Sequence, residues 1–517
     1  MLESRLAAQS QDLGTSETGI SSGDVLPSPL APIPSSIPGG NVDSVQDMFS
    51  IMEPAVSESE MALTSPLLDL GTLHNLNLIP EPPPTPPTTC LTVSSVPVCD
   101  FTQAELDQLY FDRVHPSTPI LHQRRYHGWS KQHTKSTAKL ALQYAMWTLS
   151  SLLSGQFQHL QEVFYQEARQ MLESSNPSNG TQATALEIEL AQAWVLIATY
   201  ESMRTYNQHA WMSAGHAFRL VQLMRLHEVD SPTNPSSGAD NDPAATEEKR
   251  RVFWMAYFVD HLLSMKNNSP TRLSEHVICT RLPAQECDFQ NGQSSVMDFL
   301  SDAIVDQHPT TRSPFNECII LATMCGRTLS HNQQYNIRCL HGDSETEWSD
   351  WDPWFDNVLL ARLQLLSKRY PSPTNGYDPM LLFAHAIAQV SVIYLCKEVK
   401  SMVWPNGKAR CLQPEYQQRA LNAAEHMVNL AYALVDFGVF KVHPLMSIPI
   451  LLCVEFLFAN RRLSRAAALL RQLLDALGQL KSVTNPKQNY IMLLDLTHIL
   501  PLMNAIDNGT AAAALSQ

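Results

Sequence analysis

The chain has 517 residues, 35 lysines and arginines against 50 aspartates and glutamates, and a formal charge of -15. That balance disfavours a direct grip on nucleic acid, because such affinity rests on cations that neutralise phosphates and release their counterions. The length exceeds the ~250 to 300 residues at which one core usually stops growing, so two packed sub-bundles or one elongated helical array are expected.

Residues 1–99 hold eleven acidic residues against one basic residue, Arg5, together with fourteen of the 34 prolines and a single aromatic, Phe49. Such a segment buries too little apolar surface to offset its ordering entropy, and it is expected to be disordered. Within it, Asp43–Glu53 (DSVQDMFSIME) and Leu67–Ile79 (LLDLGTLHNLNLI) mix acid with bulky apolar residues. That is the composition of an activation region that folds on a partner, or of a linker with chance hydrophobes. No continuous apolar run opens the chain, so no signal peptide is expected.

From Asp100 to Asn508 the pattern is helical almost throughout, and the expected fold is all-α, a multi-helix bundle or array. The first element, Phe101–His122, reads FTQAELDQLYFDRVHPSTPILH: a Thr102 cap, a short helix, then a His115-Pro116 turn into an apolar tail. Two stripes follow, one through Leu142, Ala145, Met146, Leu149, Leu152 and Leu153, the other through Leu190, Trp194, Ile197 and Tyr200. Loops are expected at 176–182, 230–242 and 371–378, where turn-forming residues cluster. Gly215–His227 repeats the helical period through Ala214, Phe218, Val221 and Met224. Asp242-Pro243 then supplies a cap and a preset first residue, so a helix starts near Ala244, with Glu247 and Glu248 in its early turns. Arg250, Trp254, Tyr257 and His261 line one face of it. The longest apolar run, Leu445–Ala459, is interrupted by Pro449 and Glu455 and falls short of the ~20 residues that span a bilayer, so no membrane segment is expected. Leu463, Leu470 and Leu477, with Ala466, Leu473 and Leu480 between them and Arg461, Arg462, Arg465 and Arg471 alongside, fit either a dimer helix or a core seam.

Three segments in this order resemble the fungal-specific transcription factor domain, the regulatory middle region of fungal zinc binuclear cluster activators. They are Tyr110-Phe111 with His115-Pro116 and Pro119-Ile120; Gly215, Ala217, Arg219, Val221, Leu226 and His227; and Glu248, Arg250, Arg251, Trp254, Tyr257 and Asp260. The resemblance implies a nuclear regulator of a metabolic gene set, a secondary-metabolite cluster among them. It assigns structural or regulatory roles to Gly215, Arg219, His227, Glu248, Arg250, Arg251, Trp254, Tyr257 and Asp260. Two departures stand out. Where the family has a Gly-Arg-Pro turn, this chain has Asn268-Ser269-Pro270, followed later by Arg281-Leu282-Pro283. The family's six-cysteine zinc module needs closely spaced cysteine pairs, and none of the ten cysteines forms one. The expectation is a co-regulator that reaches promoters through a DNA-binding partner, or a chain whose zinc-bearing part lies upstream.

Several constellations admit both a chemical reading and a packing one. The stripe around Trp254 reads as a staple, with Arg250 stacked on Trp254 and Glu247 or Asp260 closing ion pairs, or as the lining of an effector cavity. Cys318 and Cys325 share a helix face and read as buried thiols, and neither a metal nor a cofactor is expected. The acid-rich stretch 343–356, with Trp348, Trp351 and Trp354, lacks the convergent carboxylates of a magnesium diphosphate site, and no nucleophile elbow or phosphate loop occurs. An enzyme is not expected. A stand-alone helical module that senses an effector or titrates a partner is the second reading, and a terpene synthase-like enzyme the third.

Overall fold

A computed structural model describes residues 98–175, 186–204, 206–232, 242–305, 313–340, 353–369, 378–401, 409–437 and 442–483. The expectations for residues 1–97, for 484–508, for the loop tips 176–182, 233–241 and 371–377, and for Trp348, Trp351 and the side chain of Trp354 lie outside these residues.

Fifteen α-helices make up the described fold, and no strand occurs among the described residues. Helix α1 (Asp100–Leu109) runs into a π turn at Tyr110–Val114; α2 is Gln123–Ser130, α3 Thr137–Leu152, α4 Gln161–Ser174, α5 Ile188–Met203 and α6 Asn207–Leu223. The long helix α7 (Pro243–Asn267) is followed by short α8 (Glu286–Gln290) and α9 (Leu300–Val305). Then come α10 (Pro314–Leu340), α11 (Pro353–Arg369), α12 (Pro379–Ser401), α13 (Ala409–Phe437), α14 (Ser447–Ala459) and α15 (Ser464–Val483).

Packing divides these helices into two groups with α7 between them. Helices α3 to α6 pack on one another, as do α10 and α12 to α15, and α7 touches α5 and α6 on one side and α10 and α14 on the other. One continuous apolar core runs through both groups, from Leu106 to Leu480. Every residue of α7 from Arg251 to Lys266 is buried, as expected for a helix enclosed on all sides. Its charged groups must therefore find partners inside the protein.

Local sequence signals place most boundaries. Asp242 Oδ1 accepts from Ala244 N at 2.9 Å and Pro243 opens α7, as its sequence predicts. The α3 stripe is buried from Leu142 through Leu153, and the α5 stripe buries Trp194, Ile197 and Tyr200. Two expectations are corrected. The cap of α1 is Cys99, not Thr102, because the Thr102 hydroxyl lies within the first turn and engages Cys99 Sγ at 3.2 Å. The Gly215–His227 segment is not one helix: α6 begins at Asn207 and stops at Leu223, where Arg225 adopts a left-handed conformation (φ 54°) and sends Leu226–Glu228 into a 3-10 turn.

Apolar helices are absorbed by the core. Leu470, Leu473, Leu477 and Leu480 of α15 are buried, and the helix packs against α13, so the heptad seam is core; Leu463 alone of its leucines stands 39% exposed. Pro379–Cys396 of α12 is long and apolar enough to cross a membrane, yet 78% of it is buried within the bundle. Cys318 and Cys325 are buried thiols beside the Met380 carbonyl and the Ser391 hydroxyl, and burial pushes the Cys325 thiol up to about 12.

Candidate regulatory site

The amino-terminal half of α7 brings the first and third sequence motifs and the 284–289 segment together around one guanidinium. Arg251, 2% exposed, donates from Nε to Glu247 Oε1 (3.1 Å), from Nη1 to the Pro119 carbonyl (3.1 Å) and to Glu286, and from Nη2 to the Ala284 carbonyl (2.8 Å). Its plane also covers the Phe289 ring at 4.1 Å. Five fixed N–H donors let one arginine serve four acceptors, a geometry that lysine cannot reproduce. His115 Nε2 donates to the other oxygen of Glu286 at 2.7 Å. Burial opposes ionisation of Glu286, but the His115 hydrogen bond and the Arg251 charge prevail and hold its carboxyl down at about 2.

Glu248 faces a different neighbour. One oxygen accepts from the His122 backbone N at 2.9 Å and the other from Arg125 Nε at 2.9 Å. Burial dominates and pushes its carboxyl up to about 7, against those two donors. Arg250 closes on Asp230 (Nη2 to Oδ1 2.5 Å, Nε to Oδ2 3.0 Å) and on Glu247 at 3.2 Å. Burial works against Asp230 as well, but the hydrogen bonds from Arg250 and from Arg281 N keep it below the usual carboxylate range. The expected stack of Arg250 on Trp254 is therefore not formed: a bidentate carboxylate draws the guanidinium away from the ring. Trp254, fully buried, instead donates to the Arg281 carbonyl at 2.6 Å and meets Phe253 and Tyr257 edge-on.

The carboxyl-terminal half of α7 holds a second cluster. Tyr257 reaches the Thr323 hydroxyl of α10 at 3.1 Å, and the His261 ring lies 3.9 Å from the Tyr257 ring. Burial drives the His261 imidazole down to about 4, so it is neutral at pH 7. A Cβ on Gly326 would stand 2.6 Å from His261 Cδ2, which is why α10 carries glycine there. Asp260, wholly buried, takes Arg272, both through its guanidinium and through its backbone N at 3.2 Å. The altered turn after α7 thus has a clear geometry: Asn268 caps the helix in a left-handed conformation (φ 50°), and the chain returns Arg272 onto Asp260.

Of the second motif, Gly215 faces the same arginine, with Arg272 Nη2 3.5 Å from where its Cβ would be. His227 gives its carbonyl to Cys279 N at 2.7 Å and its ring to Glu228 at 3.0 Å. Arg219 stays exposed on α6 and bonds to neither cluster, although burial and then the nearby Arg219 charge hold Arg272 below the usual arginine range. The structure therefore joins Glu248, Arg250, Arg251, Trp254, Tyr257, Asp260, Gly215 and His227 in a frame around α7, and leaves Arg219 at the surface. Asp230, Arg272, Glu286, Gly326 and His443 belong to that frame although no motif singles them out. His443 stacks on Phe383 at 3.8 Å, accepts from Leu445 N at 3.1 Å and donates to the Ser117 carbonyl at 3.2 Å, linking the first motif to the carboxyl-terminal helices.

The fungal specific transcription factor domain matches residues 108–385, which contain all three motifs and the whole of α7. The chain belongs to this family. The citrinin biosynthesis transcriptional activator of Monascus purpureus is 58% identical over 402 residues, 78% of this chain and 69% of that one. A pigment biosynthesis transcriptional activator of Monascus ruber is 45% identical over 395 residues (75% and 71%), and an ascochitine biosynthesis cluster transcriptional regulator of Didymella fabae is 44% identical over 422 residues (76% and 73%). As a member of the family the chain is a transcription regulator and not an enzyme. Glu248, Arg250, Arg251, Trp254 and Asp260 are matched by partners inside the chain, whereas Tyr110 Oη, His115 Nδ1 and His227 Nδ1 are buried without a hydrogen-bond partner among the described residues.

Proposed function

We infer that this protein activates, in the nucleus, the genes of a secondary-metabolite biosynthetic cluster, with the helical domain as its docking and control element. The 58% identity to a citrinin activator supports both the sign and the kind of gene set. The observation that carries the mechanistic part is the enclosure of α7: Arg251, Trp254 and Asp260 are at most 2% exposed and are matched from inside the chain. A helix so enclosed sets the relative position of the two helix groups, and control is exerted through the surfaces those groups present. Promoter recruitment goes through a DNA-binding partner, a reading supported by the acidic balance of these residues.

Chromatin immunoprecipitation of the tagged full chain, with transcript profiling of a deletion strain, tests this. Occupancy at one biosynthetic cluster and loss of its transcripts on deletion are expected. Unchanged transcripts in the deletion strain would refute activation, and tight, salt-sensitive binding of the purified chain to naked duplex would refute recruitment by a partner.

A further inference from the structure

Between Gln123 and Lys139 the chain carries Arg124, Arg125, Lys131, Lys135 and Lys139, with His127 and His133, and not one carboxylate, within a protein of charge -15. Arg125 is neutralised by Glu248 and Asp242. Lys135 donates to the neutral Gln143 side chain at 2.7 Å, and Lys139 lies 5.6 Å from the centre of the Trp129 ring. Arg124 and Lys131 are exposed, and among the described residues no carboxylate closes on either.

These cations share a surface of definite shape. Arg124, His127, Gly128 and Lys131 occupy one exposed face of α2 and its cap. Nothing lies within 4 Å of where a Cβ on Gly128 would be, so the face between the two cations is an open trough floored by backbone. Its border is aromatic: His127 packs on Phe111 at 5.6 Å, and half-buried Trp129 meets Tyr126 at 4.9 Å.

We propose that α2 and the turn into α3 form a docking surface for an acidic, partly apolar peptide segment of a partner protein. A short peptide brings its few carboxylates within a screening length of about 8 Å of these cations and lays apolar side chains on Trp129 and His127. A duplex brings a long array of phosphates that must also face the negative remainder of the molecule, which a patch of two helical turns does not offset. The proposal deepens the reading above by naming the chemistry of one partner contact, and it can fail without that reading failing.

Fluorescence anisotropy with the purified full chain tests it, using as probes a labelled peptide of about 16 residues that alternates Asp and Glu with Leu and Phe, its Asn/Gln counterpart, and a duplex of about 16 base pairs. The acidic peptide is expected to bind, more weakly at about 200 mM salt than at about 50 mM, and the amide peptide to bind far less. The double variant Arg124→Glu, Lys131→Glu is expected to raise the peptide Kd at least about tenfold with an unchanged melting temperature, since both side chains are exposed. Absence of peptide binding, or binding indifferent to charge reversal, overturns the proposal and leaves partner-borne promoter recruitment standing. A duplex that binds tighter than the peptide overturns both.

Discussion

Arg251 shows what a buried charge requires. With both of its carboxylates and two carbonyls arranged around one planar group, removing it leaves the Pro119 and Ala284 carbonyls without their donor and Glu247 with only Arg250 and the Ala284 backbone N. Arg251→Ala is expected to lower the unfolding free energy by about 3–5 kcal/mol, and Arg251→Lys to restore only a fraction of it. Arg219→Ala, on the exposed face of α6, should stay within about 0.5 kcal/mol of the parent. Urea denaturation midpoints check this, and an Arg251→Ala no more harmful than Arg219→Ala would be contrary to the arrangement described. The helical period placed Arg250, Arg251, Trp254 and Asp260 on one helix from sequence alone. It also gave Glu247 as an ion-pair partner within the helix, but not the others, because Asp230, Glu286 and Pro119 lie 20, 35 and 132 positions away along the chain and no local period reports such a distance.

At the scale of elements, boundaries set by local chemistry were legible. Asp242-Pro243 announced α7, and the aliphatic stripes announced α3 and α5. The start of α1 was misplaced because a threonine that resembles a cap is itself engaged with the preceding cysteine. The approach of α7 to α10 was invisible, since a glycine inside a helix carries no signal of what it faces. Gly326→Ala drives a methyl into the buried His261 ring and is expected to cost about 1–3 kcal/mol. His261→Ala in the same chain removes the clash, so the double variant should cost less than the sum of the two single variants, which a double-mutant cycle measures. Strict additivity would place the glycine elsewhere than against His261.

For the whole molecule, two enclosed imidazoles make the fold sensitive to acid. Burial lowers His261 to about 4 and His443 to about 3, whereas both take up protons near 6.5 once unfolded. Below pH 6.5 the unfolded chain therefore binds more protons at these sites, and their stabilisation is lost as pH falls toward 4. Glu248 acts in the opposite sense: its folded value of about 7 lies above its unfolded value, so its contribution grows on acidification from pH 7 to 4.5. At these three sites the two histidines outweigh the glutamate, and together they lower the unfolding free energy by on the order of 1 kcal/mol per pH unit near pH 5.5. Denaturation from pH 7.5 to 5 checks this, with a shallower slope expected for His443→Gln and a flat wild-type profile contrary to it. The same histidine has a consequence for synthesis. Its bond to the Ser117 carbonyl crosses 326 positions, so when a ribosome has delivered the first motif, the fastener that holds it has yet to be translated. Any product terminated before residue 443 leaves the opening helices unlatched and their apolar surface available to chaperones.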